Sequence, residues 1–414
     1  MRLNNFLRKI PKIGEPFAYG VERMKNSFKY FLVHGGVMFE EMGFVYLGPV
    51  DGHDIGALLG VLEKSASLNK PTLIHVVTKK GKGYIPAEEK PNIFHGIGCF
   101  DPETGCAASS GGISYTACFK DALLKEAYKN DKIIAVTAAM AEGTGLREFA
   151  ARFPERFFDV GIAEQHAVTF AGAMASRGYK PVVAVYSTFL QRAYDQILHD
   201  VCLPNLPVVL AVDRAGLVGE DGPTHHGLFD MAFLRTMPNM TVLAPRDGQM
   251  LAQMLHYALQ QNTPVAVRYP RGKIKEPILP TPGILKCKGQ ILREGEELGI
   301  LAVGPFVYTA MQAADILEQE LGKKVGVADL CFVKPLDTAL LAQWAKQYKH
   351  IVILEEGVQK GGVASACLEA WQEMGQCVDI LSCGFPDAFV EQGSIAELYE
   401  EYALTAPQIA AEAL

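Results

Sequence analysis

Short runs rich in Val, Ile and Leu alternate with helix-length amphipathic segments along almost the whole chain, and that alternation most constrains what it can fold into. Continuous apolar runs of five to seven residues suit strands covered on both faces, and the helices between them supply the covers, so the pattern predicts α/β domains built on parallel sheets. Strands are expected at FVYLG (44–48), TLIHVVT (72–78), KIIAVTA (132–138), VVAVYS (182–187), PVVLAVD (207–213), TVLAP (241–245), LGILAVG (298–304), VGVADLC (325–331), IVILEE (351–356) and VDILSCG (378–384).

Two irregular stretches interrupt the rhythm, one from Gly83 to Gly112 and one from Arg271 to Gly289, the second holding three prolines. Read as linkers over 85–112 and 271–289, they separate a first piece at 1–84, a central domain at 113–270 and a C-terminal domain at 290–414. Apolar runs such as Pro207 to Val212 fall far short of the roughly 20 residues of a membrane span. With a net charge of −7 there is no electrostatic reason to expect nucleic acid or an anionic membrane. Nine scattered cysteines without a C-x-x-C pair point to free thiols in a reducing compartment, and no secretory pattern opens the chain, so a cytoplasmic location is expected.

Chemistry-bearing residues gather after three expected strand ends. In DVGIAEQHAVTFAGAMA (159–175), Glu164 stands in the first turn of a helix whose other residues are mostly small and apolar. A helix start favours a carboxylate, but the end of a parallel strand is also where α/β folds collect ligands. YSTFLQR follows the next strand with Tyr186, Phe189 and Arg192, and Ser187 or Thr188 is available as a helix cap. After the third come Asp213, Arg214 and the loop AGLVGEDGPTHHG, which carries Asp221, His225 and His226.

IAEQHAV, YSTFLQRAYDQ, DRAGLVGEDGPTHHG and RYPRG, in this order, closely resemble the pyrimidine-binding domain of the 1-deoxy-D-xylulose-5-phosphate synthases, thiamine diphosphate enzymes of the transketolase superfamily. GPVDGHD, TKKGKGY, FVKPLD and GFPD are similar to the same family. The resemblance implies transketolase-type parallel-sheet domains: a partial pyrophosphate-binding domain, a pyrimidine-binding domain and a transketolase C-terminal domain. It implies a transferase that decarboxylates pyruvate and passes the two-carbon unit to glyceraldehyde 3-phosphate, with thiamine diphosphate and Mg²⁺ as cofactors.

Carried over by motif, Glu164 would hydrogen-bond the aminopyrimidine ring and support proton removal from thiazolium carbon two, while Phe189 would stack on that ring. Arg192, Arg214 and Arg271, with Tyr186, would clamp the acceptor's phosphate, since guanidinium groups grip phosphate oxygens in pairs. Asp221 and His225 would orient substrate or move protons, Tyr84 would lie near the cofactor, and His95 would assist proton transfer. His226 is read as structural, His53 of VDGHD as a turn and helix-start residue. The glycines of KKGKGY would let backbone approach a ligand.

The family anchors diphosphate and Mg²⁺ with a GDG motif followed by an asparagine, in a segment before GPVDGHD, and no such motif occurs here. EDG at 220–222 belongs to the central loop, so no metal ligands are assigned. The opening MRLNNFLRKIPKIG resembles the interior of the family's first domain, and the expectation is a chain equivalent to the C-terminal two-thirds of the enzyme. Such a chain would act as a homodimer or with a polypeptide supplying the remainder, and would have no synthase activity alone. A transketolase-like half subunit, a 2-oxoacid dehydrogenase beta subunit and a non-catalytic fragment are the alternatives.

Overall fold

The computed structural model describes residues 36–96, 98–106, 111–275, 279–280, 283–284 and 286–414, so MRLNNFLRKIPKIG and parts of both expected linkers lie outside the described residues. The chain divides into two compact units, Met1–Ser110 and Gly111–Leu414.

In the first unit, β1 (Val45–Asp51) pairs in parallel with β2 (Thr72–Val77), with Val45 opposite Thr72. The crossover is the helix Ile55–Ala66, capped by the Asp54 side chain on the Ala57 amide at 3.0 Å. His53 acts in the turn before it: its amide donates to Asp51 Oδ1 and its Nε2 accepts from the Lys79 amide, tying the ends of both strands. Within the stretch expected to be linker, Ile85–Glu89 forms a short helix.

The second unit holds two sheets. The larger is built from β3 (Ile133–Thr137), β4 (Phe157–Asp159), β5 (Lys180–Tyr186), β6 (Val209–Asp213), β7 (Thr241–Leu243) and β8 (Val265–Arg268). The smaller contains β9 (Gln290–Arg293), β10 (Leu298–Ala302), β11 (Val325–Asp329), then β13 (His350–Val358) and β14 (Asp379–Phe385). Between these last groups in sequence, β12 (Phe332–Lys334) leaves the C-terminal segment and joins the larger sheet, whose order is β12-β7-β8-β6-β5-β3-β4. The smaller sheet has the order β14-β13-β10-β11-β9.

Both sheets are parallel except at one edge each, where β12 runs antiparallel to β7 and β9 antiparallel to β11. Every residue of β3, β6, β8, β10 and β11 is buried, which is why β3, β6, β10 and β11 read in the sequence as largely apolar runs. A single buried cluster extends from Val136 and Val183 of the larger sheet to Ile353, Trp344 and Trp371 of the C-terminal segment. A buried ion pair, Arg246 to Asp329 at 2.7 Å, joins the loop after β7 to the end of β11.

Strand register sets the site. Tyr186 lies opposite Asp213 at the ends of β5 and β6, Val212 opposite Arg268, and Thr137 opposite Asp159. The carboxyl ends of five neighbouring strands therefore deliver their loops to the same edge of the sheet.

Candidate active site

Asp159 closes β4 by accepting the amides of Ala139 at 2.7 Å and Gly161 at 3.0 Å, which turns the chain into the helix Glu164–Ser176. Small residues let that helix lie close to its neighbours; at Gly172 a Cβ would stand 2.8 Å from the Asp200 carbonyl. Glu164 occupies the first helical position and is 2% exposed. Its Oε1 accepts from Arg192 Nη1 at 2.7 Å, and among the described residues no donor reaches Oε2.

Arg192, expected in the phosphate clamp with Arg214 and Arg271, has Glu164 as its ion-pair partner. A buried carboxylate is costly without a charged or hydrogen-bonding partner, and Arg192 is the one within reach. The same guanidinium lies 4.8 Å from the Phe189 ring centroid. Phe189 also stacks with Tyr186 at 5.8 Å and meets His225 edge-on at 5.3 Å. Neither Ser187 nor Thr188 serves as a helix cap. The Thr188 hydroxyl instead donates to the Thr224 carbonyl, and Ser187 Oγ is buried without a partner among the described residues.

Arg214 and Arg271 converge on Asp221. Arg271 Nη1 is 2.7 Å from Asp221 Oδ2 and Arg214 Nη1 is 3.6 Å from it. The Arg214 guanidinium also covers the Tyr186 ring at 3.9 Å, and Arg271 donates to the Val218 carbonyl at 3.2 Å. Arg214 has φ +56°, a left-handed conformation uncommon outside glycine, and its amide donates to Asp213 Oδ1 at 2.7 Å. Asp213 is fully buried and also accepts from Thr116 Oγ1; burial pushes its carboxyl up to about 7. Burial likewise raises the Tyr186 phenol.

The loop carrying Asp221 and His225 is closed at its neck by reciprocal backbone hydrogen bonds between Gly216 and Gly227. His225 Nδ1 contacts Thr224 Oγ1 at 2.9 Å. His226 is structural, as its sequence context suggested. Its Nδ1 accepts from the Val218 amide and its Nε2 faces the Glu391 carbonyl, while burial lowers its pKa.

Three family models match this chain: "Transketolase, pyrimidine binding domain" at 111–277, "Transketolase, C-terminal domain" at 287–409, and "1-deoxy-D-xylulose-5-phosphate synthase" at 1–78. A 1-deoxy-D-xylulose-5-phosphate synthase of Heliobacterium modesticaldum is 49% identical over 99% of this chain and 63% of its own length. One from Geobacter metallireducens is 50% identical over 99% of this chain and 66% of its own length.

The chain belongs to the 1-deoxy-D-xylulose-5-phosphate synthase family. It spans less than two thirds of the length of those relatives. Among solved structures, a split gene transketolase described as an inactive beta4 tetramer superposes with a TM-score of 0.66 and 32% identity, covering 73% of this chain and 99% of that one. Transketolase of Campylobacter jejuni shares the fold at a TM-score of 0.62 and 18% identity, over 92% of this chain and 68% of that one.

The remaining residues singled out in this synthase-family chain belong to the first unit. The Tyr84 hydroxyl donates to the Pro102 carbonyl at 2.9 Å, and its ring packs with Phe94 and Phe100. His95 is exposed, with Lys80 Nζ against its Nδ1. Gly81 has φ +78°, and a Cβ there would stand 2.6 Å from the Ala87 backbone, so the close approach at this glycine is made by the chain itself.

Sequence reasoning missed Gly143, Glu356 and Tyr399. A Cβ on Gly143 would fall 1.6 Å from the Tyr186 hydroxyl, so this glycine makes room for a site tyrosine. Glu356 accepts from the Leu217 amide at 3.0 Å and from the Tyr399 hydroxyl at 2.6 Å. Its signal was present in the sequence as a carboxylate pair inside the apolar run IVILEE.

Proposed function

We propose that this chain carries the pyrimidine-activating carboxylate and the acceptor-phosphate clamp of a 1-deoxy-D-xylulose-5-phosphate synthase, joining pyruvate and glyceraldehyde 3-phosphate to give 1-deoxy-D-xylulose 5-phosphate and CO₂. The observation that carries the reading is Glu164. Its carboxylate is buried at a strand end, with Oε1 held by Arg192 and Oε2 unclaimed among the described residues. A fixed carboxylate with one open oxygen, next to an aromatic cluster, fits the aminopyrimidine of thiamine diphosphate.

When bound, the cofactor supplies the thiazolium carbon that accepts the two-carbon unit. Glu164 Oε2 holds a proton at the pyrimidine ring nitrogen, and Phe189 offers its ring beside it. Arg214 and Arg271 bind the acceptor's phosphate with Tyr186 beneath Arg214, and Asp221 keeps the two guanidinium groups together. His225, with Nδ1 engaged by Thr224, has Nε2 for proton transfer.

Among the described residues no three His, Cys, Asp or Glu side chains are grouped to hold a metal ion, and the Mg²⁺ of this reading is assigned no ligand in this chain. No helix among them is long and apolar enough to cross a membrane. A cytoplasmic homodimer is the assembly that accompanies the reading.

Hydrogen–deuterium exchange at thiazolium carbon two of added thiamine diphosphate tests the assignment. Glu164→Gln is expected to slow it about a hundredfold or more, and near wild-type exchange would remove Glu164 from the role. The match over 99% of a split gene transketolase chain favours a second arrangement, in which this chain pairs with a polypeptide carrying the diphosphate half-site. Synthase activity that appears only on adding such a GDG-bearing polypeptide would establish it.

A further inference from the structure

Glu356 lies in β13, 2% exposed, and the group it serves is the backbone of the loop that carries Asp221. Its Oε1 accepts from the Leu217 amide and from the Tyr399 hydroxyl. Gly216, with φ +83°, has no side chain to obstruct this seat; a Cβ there would stand 2.2 Å from the Glu356 carboxyl carbon. The Glu356 carbonyl is held in turn by Arg268 Nη2 at 3.0 Å, and Arg268 is paired with Asp230 at 2.9 Å. The carboxylate is thus fixed before it meets the loop.

One residue further on, the Val218 amide donates to His226 Nδ1. An amide can only donate, so this ring carries its proton on Nε2 and gives it to the Glu391 carbonyl at 3.1 Å. The Val218 carbonyl, facing the other way, accepts from Arg271 Nη1, whose second partner is Asp221. Leu217 and Val218 therefore connect groups of the C-terminal segment on one side to the Arg271–Asp221 pair on the other.

We propose that Glu356 and Tyr399 are positioning residues: they fix the Gly216–Val218 backbone that aims Arg271, and so set the affinity for a phosphorylated acceptor that neither of them touches. This rests on the reading that Arg271 binds phosphate. Tyr399→Phe removes one hydroxyl and keeps the ring that packs on Phe306 at 5.3 Å, so it separates positioning from packing.

The test is calorimetric titration of the full chain with inorganic phosphate, together with hydrogen exchange of the Leu217 and Val218 amides. Tyr399→Phe is expected to weaken phosphate binding about threefold to tenfold and to speed exchange at the Leu217 and Val218 amides more than at amides of the β13 core, while lowering the melting temperature less than Glu356→Gln does. Glu356→Gln is expected to do more of the same. Arg271→Ala alone should remove most of the affinity, and adding Tyr399→Phe to it should cost nothing further, since the two act through one group. Unchanged phosphate affinity in Tyr399→Phe, with a clear loss in Arg271→Ala, would overturn the positioning role and leave the clamp standing. Unchanged affinity in Arg271→Ala would overturn both.

Discussion

Arg192 donates to Glu164 at 2.7 Å across the helix start, with the carboxylate buried and the arginine side chain 48% exposed. The pair is asymmetric. Removing the arginine strands a charge in the interior, whereas removing the carboxylate leaves an arginine that can turn to solvent.

The asymmetry predicts an unequal double-mutant cycle. Arg192→Ala is expected to destabilise the protein by about 1–3 kcal/mol, because it leaves a buried acceptor unsatisfied, and Glu164→Gln by less. The double variant should be less unstable than the sum of the two, which denaturant unfolding of the four proteins would show. Additive losses would mean the two side chains do not interact in solution.

Arg214 and Arg271 share Asp221, but they are held differently, Arg214 over the Tyr186 ring and Arg271 on the Val218 carbonyl. Alanine at either position is expected to raise KM for glyceraldehyde 3-phosphate about tenfold to a hundredfold in the active assembly, the worth of a charge-assisted hydrogen bond, with little effect on pyruvate. Equal effects on both substrates would take the arginines out of the clamp.

Gly143 and Tyr186 make a contact that tolerates no added atom. Gly143→Ala should cost about 1–3 kcal/mol by overpacking and, by displacing the Tyr186 ring, loosen Arg214 above it. Tyr186→Phe removes the atom nearest the new methyl, so the double variant should recover part of the lost stability. Thermal melts of the three variants decide this, and a stable Gly143→Ala protein would show that the loop moves aside freely.

The architecture was legible because buried parallel strands announce themselves. Ile133–Thr137 and Val209–Asp213 are apolar runs covered on both faces, and both fall where the sequence placed them. β8, β9 and β12 were not legible. Each is only three or four residues long; β8 ends in an arginine that breaks its apolar run, while β9 and β12 lie antiparallel at a sheet edge, where pairing is decided by a distant segment rather than by local pattern. In the site, the residue types at the strand ends were readable, but their partners were not. Nothing in YSTFLQR indicates that Arg192 turns to Glu164 while Arg214 and Arg271 turn to Asp221. The role of the EE doublet in β13 depends likewise on tertiary structure. Glu355 accepts the Val363 and Ala364 amides at a helix start, while its neighbour Glu356 points to the other side of the strand and reaches the Leu217 amide.

Asp213 offers a test that needs no ligand. Burial raises its carboxyl to about 7, and the Thr116 hydroxyl, the Arg214 amide and then the charges of Arg214 and Arg271 only partly oppose this. A carboxyl that holds its proton more tightly in the folded than in the unfolded protein makes stability fall as pH rises from the ordinary carboxylate value to about 7, after which the cost is fully present and the profile levels. That cost has a ceiling of about 4 kcal/mol. Asp213→Asn removes the titration while keeping both contacts, since its carbonyl can accept from the Arg214 amide and its NH₂ can donate to Thr116 Oγ1. Relative to wild type, the variant should therefore gain stability as pH is raised from 5 to 8, and the difference should stay constant above that. Unfolding free energies of both proteins across this range are the measurement. A difference that does not change with pH would mean that Asp213 is already ionised in the folded protein at pH 5, with Arg214 and Arg271 outweighing burial.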